Sequence, residues 1–159
     1  MCHAQSMNVT ATEPLWAALA AEGVEYALVG GLAMSVHGLP RFTEDIDIFV
    51  SLEKENVERL KRALEAVFAD PSIDEIAFED LSGEYPVIRY LPPNGGAAID
   101  IIGRLGERVV FDDLEVFERP IGSTVVKVVT PASLHWMKAS TVRPIDAQDA
   151  ERLRQAFDL

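Results

Sequence analysis

Residues 29–50, VGGLAMSVHGLPRFTEDIDIFV, decide the fold. Just before them Tyr26-Ala27-Leu28-Val29 is short and apolar and is stopped by Gly30-Gly31. This predicts a buried strand turning sharply into a small-residue helix, Leu32–His37, closed by Gly38 and Pro40. Asp45-Ile46-Asp47-Ile48-Phe49-Val50 alternates and then runs apolar, the pattern of a second strand. Ser51 is expected to cap a helix carrying Val57, Leu60, Leu64, Val67 and Phe68 on one stripe. Its solvated face offers Glu58 to Arg62 and Lys61 to Glu65 at four-residue spacing.

Working outward, Thr12-Glu13-Pro14 read as the cap and first turn of an N-terminal helix with Leu15, Trp16, Leu19 and Ala20 on its apolar face, ended by Gly23. Downstream, Asp70–Pro86 is rich in acids and predicts a loop or irregular strand. Val87–Leu91 and Ala97–Ile102 read as strands around the turn Pro92–Gly96, and Leu114–Val129 as a second hairpin with Gly122-Ser123 at its tip. Thr130-Pro131 would cap a helix to about Ser140, and Asp146 a last helix through Phe157. The order implies an α+β (mixed α/β) fold: a central mixed sheet flanked by helices, with a short C-terminal helical pair.

Composition bounds the function. The 159 residues carry 14 Lys+Arg against 26 Asp+Glu, a formal charge of −12, and 48% are hydrophobic. One domain over 1–159 is expected, with 1–11 flexible and Met7 an alternative beginning. The charge excludes a protein that grips nucleic acid mainly by neutralising phosphates, so an extended nucleic-acid groove is not expected. It leaves room for a nucleotide whose charge is met by metal ions. The single cysteine, Cys2, and the absence of an apolar run near the ~20 residues of a membrane helix point to a cytoplasmic protein.

The chemistry centres on acids. Asp45 and Asp47 lie two apart on a strand, so both carboxylates face the same side with Cα atoms about 6.6 Å apart. Held that close, they should bind a cation or protonate, and hard oxygen ligands suit Mg²⁺ or Mn²⁺. Asp100 sits among Ala98, Ile99, Ile101 and Ile102, where an unpartnered carboxylate is costly. If its strand lies beside that of Asp45, three acids converge and can hold two metals roughly 4 Å apart. Gly30-Gly31 permit close backbone approach, and N–H groups opening a helix favour an anion.

Each piece also has a plainer reading. The Gly-Gly turn can be simple geometry, the D-x-D exposed acids, and Asp100 a structural partner of Arg89 or Arg104. Taken together, order and spacing favour the functional reading. His37 is expected to pack or face solvent near its helix end, and Trp136 with Met137 to be core.

The stretch 29–50 also resembles the signature of the nucleotidyltransferase superfamily that includes DNA polymerase β: G-[GS], then [DE]-x-[DE], then a third acid from a later strand. The wording Arg41-x-Thr43-x-Asp45-Ile46-Asp47 is similar to the AbiEii-type toxin and antibiotic-modifying branch, and LHWMKASTVRPIDAQD extends the likeness to about Leu153. The resemblance implies a nucleotidyltransferase fold in which Gly30 and Gly31 cradle a triphosphate, assisted by Arg41 and Thr43. It implies that Asp45, Asp47 and Asp100 ligate metal, that Asp100 positions or deprotonates an acceptor hydroxyl, and that Lys138 meets the phosphates. Lys138 could equally complement a helix dipole, and Arg41 cover a surface loop.

Two departures stand out: Gly31 where many relatives have Ser, and Ile145 where they have Lys before the Asp of K-D-x-x-D. Asp146 and Asp149 read in the first place as an N-cap and first-turn acid. The resulting expectation is an Mg²⁺- or Mn²⁺-dependent enzyme, within a toxin–antitoxin or defence setting. It would move a nucleoside monophosphate from an NTP, ATP first among them, to a hydroxyl of a small molecule, tRNA or protein. Because only two short helices follow the last strand, a homodimer or partner subunit is expected to complete the cleft. The alternative is a non-catalytic nucleotide-binding antitoxin or regulatory subunit that needs a partner.

Overall fold

The computed structural model describes residues 9–106, 109–139, 141 and 143–159. Met1–Asn8, with Cys2, His3 and Met7, and Ser140 lie outside them. A 3-10 turn over Val9–Thr12 leads into helix α1 (Glu13–Glu22). Thr12 makes no side-chain cap. Its hydroxyl instead accepts from Trp16 Nε1 at 2.6 Å.

Strand β1 (Tyr26–Val29) is followed by α2 (Gly30–Val36), β2 (Asp45–Val50), α3 (Lys54–Phe68) and α4 (Phe78–Leu81). Then come β3 (Val87–Tyr90), β4 (Ala98–Ile102), β5 (Val116–Ile121), β6 (Thr124–Val129), α5 (Pro131–Ala139) and α6 (Pro144–Phe157). The six strands form one mixed sheet in the order β3-β4-β2-β1-β6-β5. β1 runs antiparallel to β2 and parallel to β6, while β2 and β4 are parallel. The two hairpins, β3–β4 and β5–β6, fall at opposite edges.

Both faces of the sheet are packed. All four β1 residues are buried, and Trp16, Leu19, Leu28, Ile48, Phe49, Leu60 and Leu64 form part of one core. Each such large apolar side chain contributes roughly 1.5–3 kcal/mol when fully buried.

Four local expectations need correction. First, α2 starts at Gly30 rather than Leu32. Second, Ser51 does not cap α3. Its carbonyl accepts from Asn56 Nδ2 at 2.9 Å, and Asn56 also exchanges hydrogen bonds with the backbone of Glu25, so the helix starts only at Lys54. Third, the ion pairs on α3 are Arg59–Glu55 and Lys61–Glu58, while Arg62 reaches across to Glu22 on α1. Fourth, the acidic stretch is not a loop: it holds a 3-10 turn, Pro71–Glu75, opened by Asp70 accepting from Ser72 N, and then α4, with Ile73 and Leu81 buried. These two apolar anchors outweigh the acids around them. Among the described residues no helix is long and apolar enough to cross a membrane.

Candidate functional site

The strand register builds the first half of the site. Asp47 on β2 lies opposite Asp100 on β4, and Asp100 lies opposite Arg89 on β3. On the other side Asp47 is opposite Val29, the residue before Gly30. One row across four strands therefore carries Arg89, Asp100, Asp47 and the start of α2, with Asp45 two residues away on the same face as Asp47. The three acids expected to converge do so at one end of the sheet.

Gly30 closes this row from below. It has φ +73°, and a Cβ there would run into the Asp47 carboxylate, with Asp47 Cγ at 3.0 Å. Only glycine combines that backbone with that approach. Gly31 is less tight: a Cβ would lie 3.0 Å from Thr43 Cβ and 3.1 Å from Arg41 Nε. The absence of a side chain at Gly31 leaves room for Arg41 and Thr43 against the turn. Thr43 Oγ1 donates to Asp45 O at 3.2 Å, which fixes the loop leading into β2.

The electrostatics are lopsided. Burial pushes the Asp47 carboxyl up, and the negative charge of Asp100, a shared hydrogen bond with it and the charge of Asp45 push it further, to about 7. Lys138 opposes this only in part. Asp45 and Asp100 are instead met by Arg89, half-exposed on the edge strand. Arg89 Nη2 and Nη1 contact Asp45 at 3.0 and 3.3 Å, and Nη1 contacts both Asp100 oxygens at 3.1 Å. These bonds, to Asp45 first, raise the guanidinium's own pKa. The plain reading of Asp100 as an arginine partner and the reading of it as a member of an acid cluster therefore hold together.

The second half is the C-terminal helical pair. Lys138 on α5 is buried, with Nζ 2.9 Å from Asp149 and 3.3 Å from Asp146 of α6. Arg41 also pairs with Asp149, and Thr141 Oγ1 donates to Asp146 at 2.7 Å. Burial alone would raise Asp146, but Thr141, Lys138 and Arg143 more than offset it and hold its carboxyl below the ordinary range.

This corrects the first-place reading of Asp146 and Asp149. The cap of α6 is Arg143, with Pro144 at the first position, so Asp146 lies inside the first turn. Both acids share the buried stripe of α6 with Ala150 and Leu153, a helical spacing already visible in the sequence. Lys138 does lie in the last turn of α5, where it complements the helix dipole, and it is also buried in this cluster, while Arg41 is partly buried against Asp149. His37 does pack, Nε2 donating to Val129 O at 2.8 Å, but Trp136 is 46% exposed and only Met137 is core.

As potential metal ligands the three acids are right in kind, hard oxygens with too little positive charge around them. They are not closed around a point: among the described residues no group of three or more His, Cys, Asp or Glu stands in ligand geometry. Asp45 is turned toward Arg89. Sequence reasoning named Arg89 only as a structural pair. The signal that would have raised it is a charged side chain in a short apolar edge strand, facing Asp100 in the hairpin.

A mixed sheet with a glycine turn after its first strand, D-x-D on the next and a third acid on the parallel neighbour defines a nucleotidyltransferase fold. The chain belongs to the family described as nucleotidyl transferase AbiEii toxin, type IV TA system, which matches residues 15–159. A search of the curated proteins finds no match.

Three solved structures are similar in fold. An antigenic nucleotidyltransferase-like protein from Paracoccidioides brasiliensis is 15% identical, with TM-score 0.58, over 95% of this chain and 78% of that one. A candidate nucleotidyltransferase from Thermotoga maritima is 17% identical, with TM-score 0.54, over 99% of both chains. ANT(2")-Ia, in complex with adenylyl-2"-tobramycin, is 17% identical, with TM-score 0.57, over 94% of this chain and 88% of that one.

Proposed function

We propose that this chain, acting as one cytoplasmic domain over 1–159, is a divalent-metal-dependent enzyme that transfers a nucleoside monophosphate from an NTP, ATP first among them, to a hydroxyl acceptor. The observation that carries the reading is the register of Asp47 opposite Asp100 with Gly30 against the Asp47 carboxylate. Family membership supports it.

Asp45, Asp47 and Asp100 would hold Mg²⁺ or Mn²⁺, which when bound neutralises charge on attacking and leaving oxygens. The backbone at Gly30 and Gly31 would border the triphosphate, the missing Cβ atoms leaving room for Asp47 at Gly30 and for Thr43 and Arg41 at Gly31. Arg41 and Thr43 border it. Lys138 supplies positive charge behind Asp47 and reaches a phosphate only by exchanging a carboxylate partner. Asp100 would orient the acceptor hydroxyl and take its proton as the acceptor oxygen bonds to the α-phosphorus, and the bond from the α-phosphorus to pyrophosphate breaks with its electron pair leaving on the pyrophosphate. A cationic small molecule suits so acidic a surface better than a long RNA, and tRNA or protein acceptors remain within the family's setting.

A second reading, a nucleotide-binding antitoxin or regulatory subunit completed by a partner, draws on Arg89, which already satisfies Asp45 and Asp100. The two separate in one assay. Protein is incubated with Mg²⁺, each α-labelled NTP and aminoglycosides, tRNA or cell lysate, beside an Asp45→Asn/Asp47→Asn variant. Label transfer lost in the variant is the expected result. Thermal stabilisation by Mg²⁺ and NTP with no transfer to any acceptor contradicts the enzyme and favours the second reading.

A further inference from the structure

Arg89 is unusual in what it joins. It comes from β3, which among the described residues is an edge strand paired with β4, yet its one guanidinium spans carboxylates on two other strands, Asp45 of β2 and Asp100 of β4. It covers oxygens of two of the three acids that the proposed function assigns to a divalent cation. It also borders two open clefts. One is lined by Thr43, Glu44, Asp45 and Leu91, the other by Glu75, Glu79, Glu84 and Tyr85. Its side chain is 51% exposed, so it has solvent to swing into without disturbing the core.

We infer that Arg89 is a positioning residue that latches the acid row: it holds Asp45 and Asp100 in the metal-free protein and must leave them when a divalent cation binds. This rests on the metal reading above. The guanidinium fork and the cation compete for the same oxygens, so Arg89 lowers the apparent metal affinity. It also keeps Asp45 from springing away from its neighbours through like-charge repulsion. Once released, the guanidinium lies at the mouth of both clefts, where its charge faces an incoming anionic nucleotide.

The test is Mn²⁺ binding to the full chain, followed by electron paramagnetic resonance of free Mn²⁺, in wild type, Arg89→Ala, Arg89→Lys and Arg104→Ala. Arg104→Ala changes net charge equally but removes a side chain that bonds the carbonyls of Gly83 and Gly106 rather than the acids. The latch predicts a Kd about 3–10-fold tighter in Arg89→Ala, the range expected from releasing two partly exposed ion pairs. Arg89→Lys, which keeps the charge but not the fork, should fall between, and Arg104→Ala should match wild type.

Circular dichroism confirms folding, and the exposed position of Arg89 makes both of its variants tolerable. Equal or weaker binding in Arg89→Ala overturns the latch and leaves the metal reading standing. So does equal tightening in Arg104→Ala, which would make the effect one of net charge. Failure of every form to bind Mn²⁺ overturns both.

Discussion

Two charged clusters lie within reach of Asp47, and they are built on opposite plans. At the end of the sheet, two of three carboxylates, Asp45 and Asp100, share one guanidinium that is half in solvent, and the third, Asp47, is driven up to about 7. Between the terminal helices, two carboxylates meet Lys138, Arg41 and Arg143, with Asp149 only 1% exposed. The first cluster is short of positive charge and open. The second is satisfied and closed. A buried pair that balances itself holds elements together, whereas an exposed acid cluster left unbalanced can be completed by a cation.

The comparison is broken most directly by removing one acid from each cluster. Asp149→Asn should cost about 3 kcal/mol in urea unfolding, because it strips buried Lys138 and Arg41 of a shared partner. A loss below about 1 kcal/mol would mean that the helical cluster does not hold the fold. Gly30→Ala comes next, at roughly 1–3 kcal/mol, from a Cβ at positive φ pressed on the Asp47 carboxylate. The Asp47→Asn substitution should have the opposite sign from Asp149→Asn. Without metal at pH 8 it should stabilise by about 1 kcal/mol, since it removes a buried charge that its neighbours repel.

The smallest effect sharpens how the helical pair docks. His37 stacks on Phe117 and meets the edge of Phe157 at the end of α6. Burial lowers its pKa below 6.5, against a smaller raising effect of the Val129 carbonyl, and Arg119 adds to the lowering. The stability His37 contributes is therefore full above 6.5 and lost as pH falls through the lower folded value. Thermal melts should show this acid-side fall, and His37→Gln should flatten it.

How far the sequence foretold this depends on which physics dominates locally. The strands carrying Asp45, Asp47 and Asp100 were legible because short apolar strands and a D-x-D have a period of two, and a buried-strand Asp advertises its need for a partner, but the register that sets Val29, Asp47 and Asp100 in one row was not. The fold class followed from the same strands. The helix α4 was not legible: acids hide the two residues, Ile73 and Leu81, that anchor its region. Ser51 misled because the chain stays extended through Glu53 before α3 begins, while Asn56 ties the segment to Glu25, 31 residues away.

Asp146 and Asp149 fit a capping pattern locally, and only the packing of α5 on α6 turns them inward. Arg89 was ambiguous by nature. Its hairpin register could be read from the sequence, but its reach to a second strand could not.

The account's central claim is that this acidic protein accepts an anionic nucleotide only with a divalent cation held by the acid row. Titration calorimetry of a non-hydrolysable ATP analogue, with and without Mg²⁺, tests it on wild type and Asp47→Asn. The account predicts binding by wild type in Mg²⁺ alone, and none by wild type without Mg²⁺ or by the variant with it. Binding that is equal with and without Mg²⁺, and unchanged in Asp47→Asn, would contradict it.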